Sequence, residues 1–291
     1  MTTIPGDQAP PQPSTEPRSV SNLRQRVLTG VVALPVVLTL VFLGGWAFLA
    51  LAVLLATIGV LEFCALGRHR DVEGNGAVGA ITVIGILAAF SLRVYPAAPV
   101  IMVAGAVVAY LIEIVRHPGM LRRNLVRAGT TLAGVIYIGL PACFLVAVRG
   151  WNDGLLWVLT ILLLTWGTDS LAYIGGRLWG RTKLAPTISP KKTVEGAVAG
   201  VVGGILPAAL VLGLGGKLTP ATLVLLGVGP LMAILGDLVE SGLKRAFQVK
   251  DSHIAGFDVF PGHGGVLDRI DGLILVTVFS TLYLLATGLG H

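Results

Sequence analysis

The chain has 291 residues, of which 54% are hydrophobic and only 12% charged, with a mean hydropathy of +0.85 and a formal net charge of +6. Soluble domains carry about twice that share of charge, so a water-soluble globular enzyme is excluded and a membrane protein is indicated. The positive balance reads as membrane topology and attraction to anionic headgroups, with no nucleic acid as partner.

In chain order, residues 1–22 hold Pro5, Pro10, Pro11, Pro13 and Pro17 among Gln, Ser and Thr, with little to bury, and predict a disordered tail. Arg18, Arg24 and Arg26 before an apolar run could suggest a signal peptide. The run continues almost at once into a second one, so an uncleaved first helix is the better reading. Nine apolar runs follow: Val27–Leu43, Trp46–Leu66, Gly76–Leu92, Pro99–Val115, Gly129–Val148, Leu155–Ile174, Val194–Leu214, Thr219–Leu235 and Leu273–Leu289. Open sheet edges cannot face lipid, and these runs do not alternate as barrel strands do. The fold class expected is all-α, a polytopic integral membrane protein with about nine transmembrane helices. Residues 23–150 would form an N-terminal group of helices, and residues 151–291 a catalytic region with its site facing the cytoplasm. Cys64 and Cys143 stand alone in apolar runs and carry no redox or metal pattern.

Of the 21 Lys and Arg, 18 fall in the N-terminal segment and the loops after the even-numbered runs, against Arg93, Arg149 and Lys217 on the other side. Basic loops stay in the cytoplasm, which predicts a cytoplasmic N-terminus and His291 outside, in a cell or inner membrane. Arg68, Arg70, Arg122 and Arg123 fit topology alone. The loops after the sixth and eighth runs mix bases with acids, glycines and a histidine, and point to chemistry. Glu62 has no reading in the sequence, and Glu113 suggests an interfacial pair with Arg116.

The first polar constellation is "TWGTDSLAYIGGRLWGRTKLAPTISPKKTVEG", from Thr165 to Gly196. Trp166, Asp169, Ser170 and Tyr173 share a helix face by spacing. Asp169 lies inside an apolar run, where an ionisable group marks function, although pairing with Arg177 would also account for it. Arg177, Arg181, Lys191 and Lys192 follow, and Ser189 and Thr193 are candidate caps of the seventh run. Cations beside a helix N-terminus suit a phosphate. Gly196, Gly200 and Gly204 read as packing glycines.

The second constellation, "GDLVESGLKR", puts Asp237, Glu240, Ser241 and Lys244 on one face, either as a salt-bridged helix end or as hard oxygen ligands for Mg²⁺. The third, "PGHGGVLDRIDG", joins His263 and three glycines to Asp268, Arg269 and Asp271, three residues covering one turn. Its acids could simply complement the helix dipole, which leaves the glycines, His263 and Arg269 unexplained. Together these stretches describe a site for a phosphate ester with a divalent metal. There is no Walker loop, since Leu218 follows Gly216-Lys217 where Ser or Thr is needed.

These residues resemble the integral-membrane phosphatidate cytidylyltransferases. Ser241, Leu243, Lys244, Arg245, Lys250 and Asp251 match the first half of that family's C-terminal signature, and Pro261, His263, Gly264, Gly265, Asp268, Arg269 and Asp271 the second. Ser189-Pro190-Lys191-Lys192-Thr193 with Glu195-Gly196 resembles its other common stretch. The nine residues "SHIAGFDVF" between the halves make a loop longer than the family pattern. The resemblance implies transfer of CMP from CTP to phosphatidate, with release of diphosphate and a requirement for Mg²⁺, one ion or two. It implies Asp237, Asp268 and Asp271 as metal ligands, with Lys244, His263 and Arg269 completing the catalytic set. Asp169, Arg177, Ser189, Lys191, Lys192, Thr193, Ser241, Arg245, Lys250, Gly264 and Gly265 would bind substrate. Partners expected are CTP, phosphatidate, the bilayer and a second copy in a homodimer. Rival readings are a CTP-dependent polyprenol or lipid kinase and a transporter of an anionic substrate; transport alone needs no metal-and-phosphate cluster at one membrane face.

Overall fold

The computed structural model describes residues 20–249 and 265–290. Ten α-helices run in chain order: α1 Val20–Leu43, α2 Gly45–Leu66, α3 Gly76–Ser91, α4 Ala97–Arg116, α5 Leu121–Gly134, α6 Leu140–Arg149, α7 Gly154–Trp179, α8 Val194–Leu214, α9 Pro220–Ala246 and α10 Leu267–Thr287. A π-helical segment, Val135–Gly139, fuses α5 and α6 into one rod, so each apolar run of the sequence has its helix. Seven rods are long and apolar enough to cross a membrane. The expected nine is not confirmed among the described residues. The 16 residues of α3 rise roughly 24 Å, short of a hydrocarbon core of about 30 Å. Of the tail expected over residues 1–22, residues 1–19 lie outside the described residues, and Val20 already begins α1.

Local chemistry sets the helix starts. Asn75 caps α3, its Oδ1 accepting from the Val78 amide at 3.2 Å. Thr193 caps α8 by accepting from the Gly196 amide at 3.1 Å. Thr219 and Thr222 form a reciprocal capping box on α9, with Pro220 at its first position, where a missing N–H costs nothing.

Two large apolar clusters, with a small third around Val78, Ala109 and Ala128, make the interior. One surrounds Trp157 with residues of α7, α8, α9 and α10. The other joins α2, α3, the π segment and α6. The tenth helix belongs to both, giving Val276 and Leu284 to the first and Leu267 and Ile274 to the second. Leucines, valines and isoleucines face outward along the rods, as at Val103, Leu206 and Leu210, which suits a lipid surroundings and no other.

Basic residues separate by end. At the end holding the α2 C-terminus, Asp71 pairs with Arg123 and Arg127, each at 2.6 Å. The Arg127 hydrogen bond first, and then the Arg123 charge, hold the Asp71 carboxyl below the usual range. Glu113 pairs with Arg127 at 3.3 Å and stands 3.8 Å from His117; the expected partner Arg116 is displaced because α5 packs antiparallel against α4 and delivers Arg127 from across the groove. At the other end Lys217 pairs with Asp153 at 2.7 Å.

The closest helix contact is α7 on α8. A Cβ added at Gly200 would stand 2.8 Å from the Thr168 carbonyl oxygen, and one at Gly204 2.8 Å from that of Leu164. Both are packing glycines, as their spacing suggests. Gly200→Ala is expected to cost about 1–3 kcal/mol through overpacking and to lower the melting temperature in detergent. Gly213→Ala, where an added Cβ meets nothing within 4 Å, should be neutral or stabilising by about 0.5–1 kcal/mol. Equal melting temperatures for Gly200→Ala and the unmodified protein would remove the tight contact.

Candidate active site

A cavity of about 470 Å³ opens between the C-terminal half of α7, the N-terminus of α8, α9 and the first turn of α10. Three backbone features build it. The first is a hairpin that the sequence reading missed: β1 Lys183–Ala185 pairs antiparallel with β2 Ser189–Thr193, Lys183 opposite Thr193 and Ala185 opposite Ser189. Its base is pinned by the Glu195 carboxylate, which accepts from the amides of Arg181 at 3.0 Å and Thr182 at 3.2 Å. The strand presents Lys191, Lys192 and Thr193 to the cavity wall. Ser189 begins this strand and caps no helix; it is absent from the wall.

The second feature is the crossing of α9 and α10. A Cβ at Gly236 would lie 2.5 Å from the Asp271 carbonyl oxygen and 3.0 Å from the Gly272 Cα. Two backbones this close bring Asp237 and Asp271, the next residues along, onto one cavity, which Asp268, Arg269 and Asp169 also line.

The third feature is Glu62, which the sequence left unread. Buried at 3% exposure in α2, it accepts from the Val266 amide at 2.9 Å and the Leu267 amide at 2.8 Å. A carboxylate on the unsatisfied amides of a helix start complements its dipole. It fixes the turn from which Asp268, Arg269 and Asp271 project. A lone glutamate in an apolar run, 204 residues away in sequence, gives no sign of this.

Lysines stand beside three of the carboxylates. Lys192 makes an ion pair with Asp237, whose Oδ1 accepts from Ser241 Oγ at the long limit of 3.5 Å. Lys244 lies between Glu240, at 2.7 Å, and Asp268, at 2.9 Å. Asp268 also accepts from the Gly265 amide at 3.1 Å, and Asp271 from Gly272 at 2.7 Å. Arg177 donates to the Tyr173 hydroxyl at 3.3 Å, so the alternative in which Asp169 serves only as its partner is not realised. Tyr137, in the π segment, has a buried hydroxyl without a hydrogen-bond partner among the described residues. Such π segments recur at functional sites.

Of the candidates from the sequence, Asp169, Arg177, Lys191, Lys192, Thr193, Asp237, Asp268, Arg269 and Asp271 share this one cavity. Ser241, Lys244 and Gly265 stand behind it and hold its carboxylates. Arg245 is exposed and outside the wall. Lys250, His263 and Gly264 lie outside the described residues. Among the described residues no group of three acids, histidines or cysteines is arranged around a metal ion. The donor set nonetheless fits a hard cation: carboxylates are the oxygen ligands Mg²⁺ takes, and ammonium groups already stand beside two of them.

Over residues 24–287 the chain matches the cytidylyltransferase family. It is 33% identical over 272 residues to the phosphatidate cytidylyltransferase of Staphylococcus epidermidis, covering 91% of this chain and 100% of that one. Identity is 32% over 267 residues to the enzyme of that name from Staphylococcus haemolyticus, covering 90% and 99%. It is again 32%, over 271 residues, for Staphylococcus aureus, covering 90% and 99%.

The Glu62 contact has a local signature. In Glu62→Gln one of the two acceptors becomes a donor facing a backbone N–H, so the amides of Val266 and Leu267 should exchange with deuterium faster than in the unmodified protein. Loss of a hydrogen bond to a charged group costs about 1.5–3 kcal/mol, and the melting temperature should fall accordingly. Unchanged exchange at these two amides would show that Glu62 does not hold the helix start.

Proposed function

The chain belongs to the cytidylyltransferase family, and from that premise we propose that it converts CTP and phosphatidate to CDP-diacylglycerol and diphosphate. One observation carries the reading: four aspartates and the cations Lys191, Lys192, Arg177 and Arg269 line one cavity at an end of a membrane bundle. A nucleotide can enter such a cavity from water and a lipid from the side, past the exposed Tyr173, Leu178 and Trp179.

The chemistry asks little of a general base. A phosphate oxygen of phosphatidate, already ionised near neutral pH, attacks the α-phosphorus of CTP. A new P–O bond forms as the bond from that phosphorus to the bridging oxygen breaks, and diphosphate leaves. The obstacle is repulsion between two anions, and the remedy is fixed positive charge with in-line positioning. Lys191, Lys192, Arg177 and Arg269 take the phosphate oxygens, the arginines as forks. Asp237, Asp268 and Asp271 would hold Mg²⁺, which when bound supplies further charge neutralisation. Lys244 acts through Asp268: held at 2.7 Å from Glu240 and 2.9 Å from Asp268, it orients that carboxylate and offsets two buried charges with one. Asp169 gives the cavity a fourth carboxylate.

We place this end in the cytoplasm. Glu62 joins the α2 C-terminus to the α10 N-terminus, so the bases around Asp71 and those of the cavity share an end, while Arg93, Arg149 and Lys217 lie at the other. Reporter fusions at the two loops flanking α7 should report opposite sides, the residue 180–193 loop in the cytoplasm. The reverse result would overturn this orientation.

The activity is tested with purified protein, labelled CTP, Mg²⁺ and phosphatidate, by following a CDP-lipid and diphosphate. Asp271→Asn should lose several kcal/mol of transition-state stabilisation, roughly a hundredfold or more in rate, with the melting temperature kept. Release of CDP with a phosphorylated lipid would establish a kinase instead, and a full rate for Asp271→Asn would remove it from the metal site.

A further inference from the structure

A second cavity, of about 610 Å³, lies at the opposite end of the bundle and is lined by Arg93, Arg149, Trp46, Tyr95, Trp151 and Asn152 among others. The 26 residues of α7, rising roughly 39 Å, separate it from the active site, since Trp151 and Asn152 precede that helix and Asp169 to Arg177 end it. Among the described residues its wall contains two guanidinium groups and no carboxylate. Arg93 has no ion pair and no side-chain hydrogen bond among them, and its backbone is left-handed at φ 59°, a conformation that a long side chain adopts at a cost. Arg149 donates from Nε to the Val41 carbonyl at 2.9 Å and from Nη2 to the Phe42 carbonyl at 3.1 Å. Those bonds cap the end of α1, fix the fork and leave Nη1 without an acceptor among the described residues.

The cavity is a built one. Gly44, at φ +64°, makes room for the Arg149 guanidinium, into which an added Cβ would run. Gly290 does the same for the Trp151 ring, 2.5 Å from where its Cβ would stand. Trp46, 76% exposed, and Tyr95, 47% exposed, line the cavity, and amphipathic rings of this kind favour the zone between headgroups and acyl chains. Phe42, Leu43 and Leu92 continue the surface outward as exposed apolar side chains.

We propose that this cavity binds the headgroup of an anionic phospholipid from the leaflet opposite the active site. Its phosphodiester lies between Arg93 and the free donors of Arg149, and its acyl chains run along Phe42, Leu43 and Leu92. Two cations without a carboxylate partner among the described residues select a net negative headgroup, and the apolar flank selects a lipid over a soluble phosphate. The occupant ties α1 and α2 to the connection between α6 and α7, and it does not depend on the activity of the other end.

The test is native mass spectrometry of protein released from nanodiscs of phosphatidylcholine mixed with phosphatidylglycerol. The unmodified protein and Arg122→Gln, altered at the opposite end, should retain phosphatidylglycerol in preference. Arg93→Asn, whose replacement tolerates a left-handed backbone, should lower that retention roughly tenfold or more, the weight of one charge-assisted hydrogen bond. Phosphatidylcholine retention and the lipid-free melting temperature should not change. Arg149→Lys, which keeps the charge and loses the fork, should lower retention less. Equal retention by Arg93→Asn and the unmodified protein would overturn the proposal. So would displacement of the lipid by millimolar inorganic phosphate, which would identify a soluble-anion site.

Discussion

Everything at the active end depends on two glycines meeting where α9 crosses α10. Side chains normally hold helix axes about 8–10 Å apart. At Gly236 there is no side chain, and the backbone of Asp271 and Gly272 fills the space that a Cβ would need. The carboxylates of Asp237 and Asp271, each next to a glycine of the crossing, therefore face one cavity although they come from different helices. The α7–α8 contact works in the same way. Gly196, Gly200 and Gly204 let α8 lie against α7, bringing Lys192 and Thr193 opposite Asp169. In lipid, where apolar side chains gain nothing by leaving the solvent, close backbone approach of this kind is a main source of helix association, and here it also places the chemistry.

Carboxylates so arranged repel one another, and the lysines answer that repulsion. Lys192 takes Asp237 and Lys244 takes both Glu240 and Asp268. An isolated charge in such surroundings would be costly; the lysine contacts give Asp237, Glu240 and Asp268 a set direction. Glu62 works from outside these contacts. It spends its charge on two backbone amides and so anchors the turn that aims three of the site's side chains. The site is thus held by contacts to both apolar clusters, with α10 as the shared strut.

The two ends of the bundle are chemically unlike. One combines acids with bases and closes around a polar cavity; the cavity at the other is lined, among the described residues, by arginines and aromatic rings without acids. A metal-assisted phosphate site needs both signs of charge, and here Lys192 and Lys244 stand beside carboxylates. A headgroup site needs only cations at the depth of the interface.

The sequence by itself determined the helical membrane architecture, because apolar runs of this length have no other stable form in lipid. It also singled out the candidate site, because aspartates, lysines and arginines in apolar surroundings are too costly to be incidental, and the segments around Lys191, Lys244 and Asp268 carry them in a specific pattern. Only the tertiary structure decided which of these groups face one another. Lys244 stands behind Asp268 on the far side from the cavity wall, Arg245 points away, and Ser189 sits in a hairpin that a Lys- and Pro-containing segment does not announce. Glu62 was invisible for a physical reason. It acts across a helix contact, and helical periodicity fixes which face a residue occupies on its own rod but says nothing of what the neighbouring rod brings to meet it.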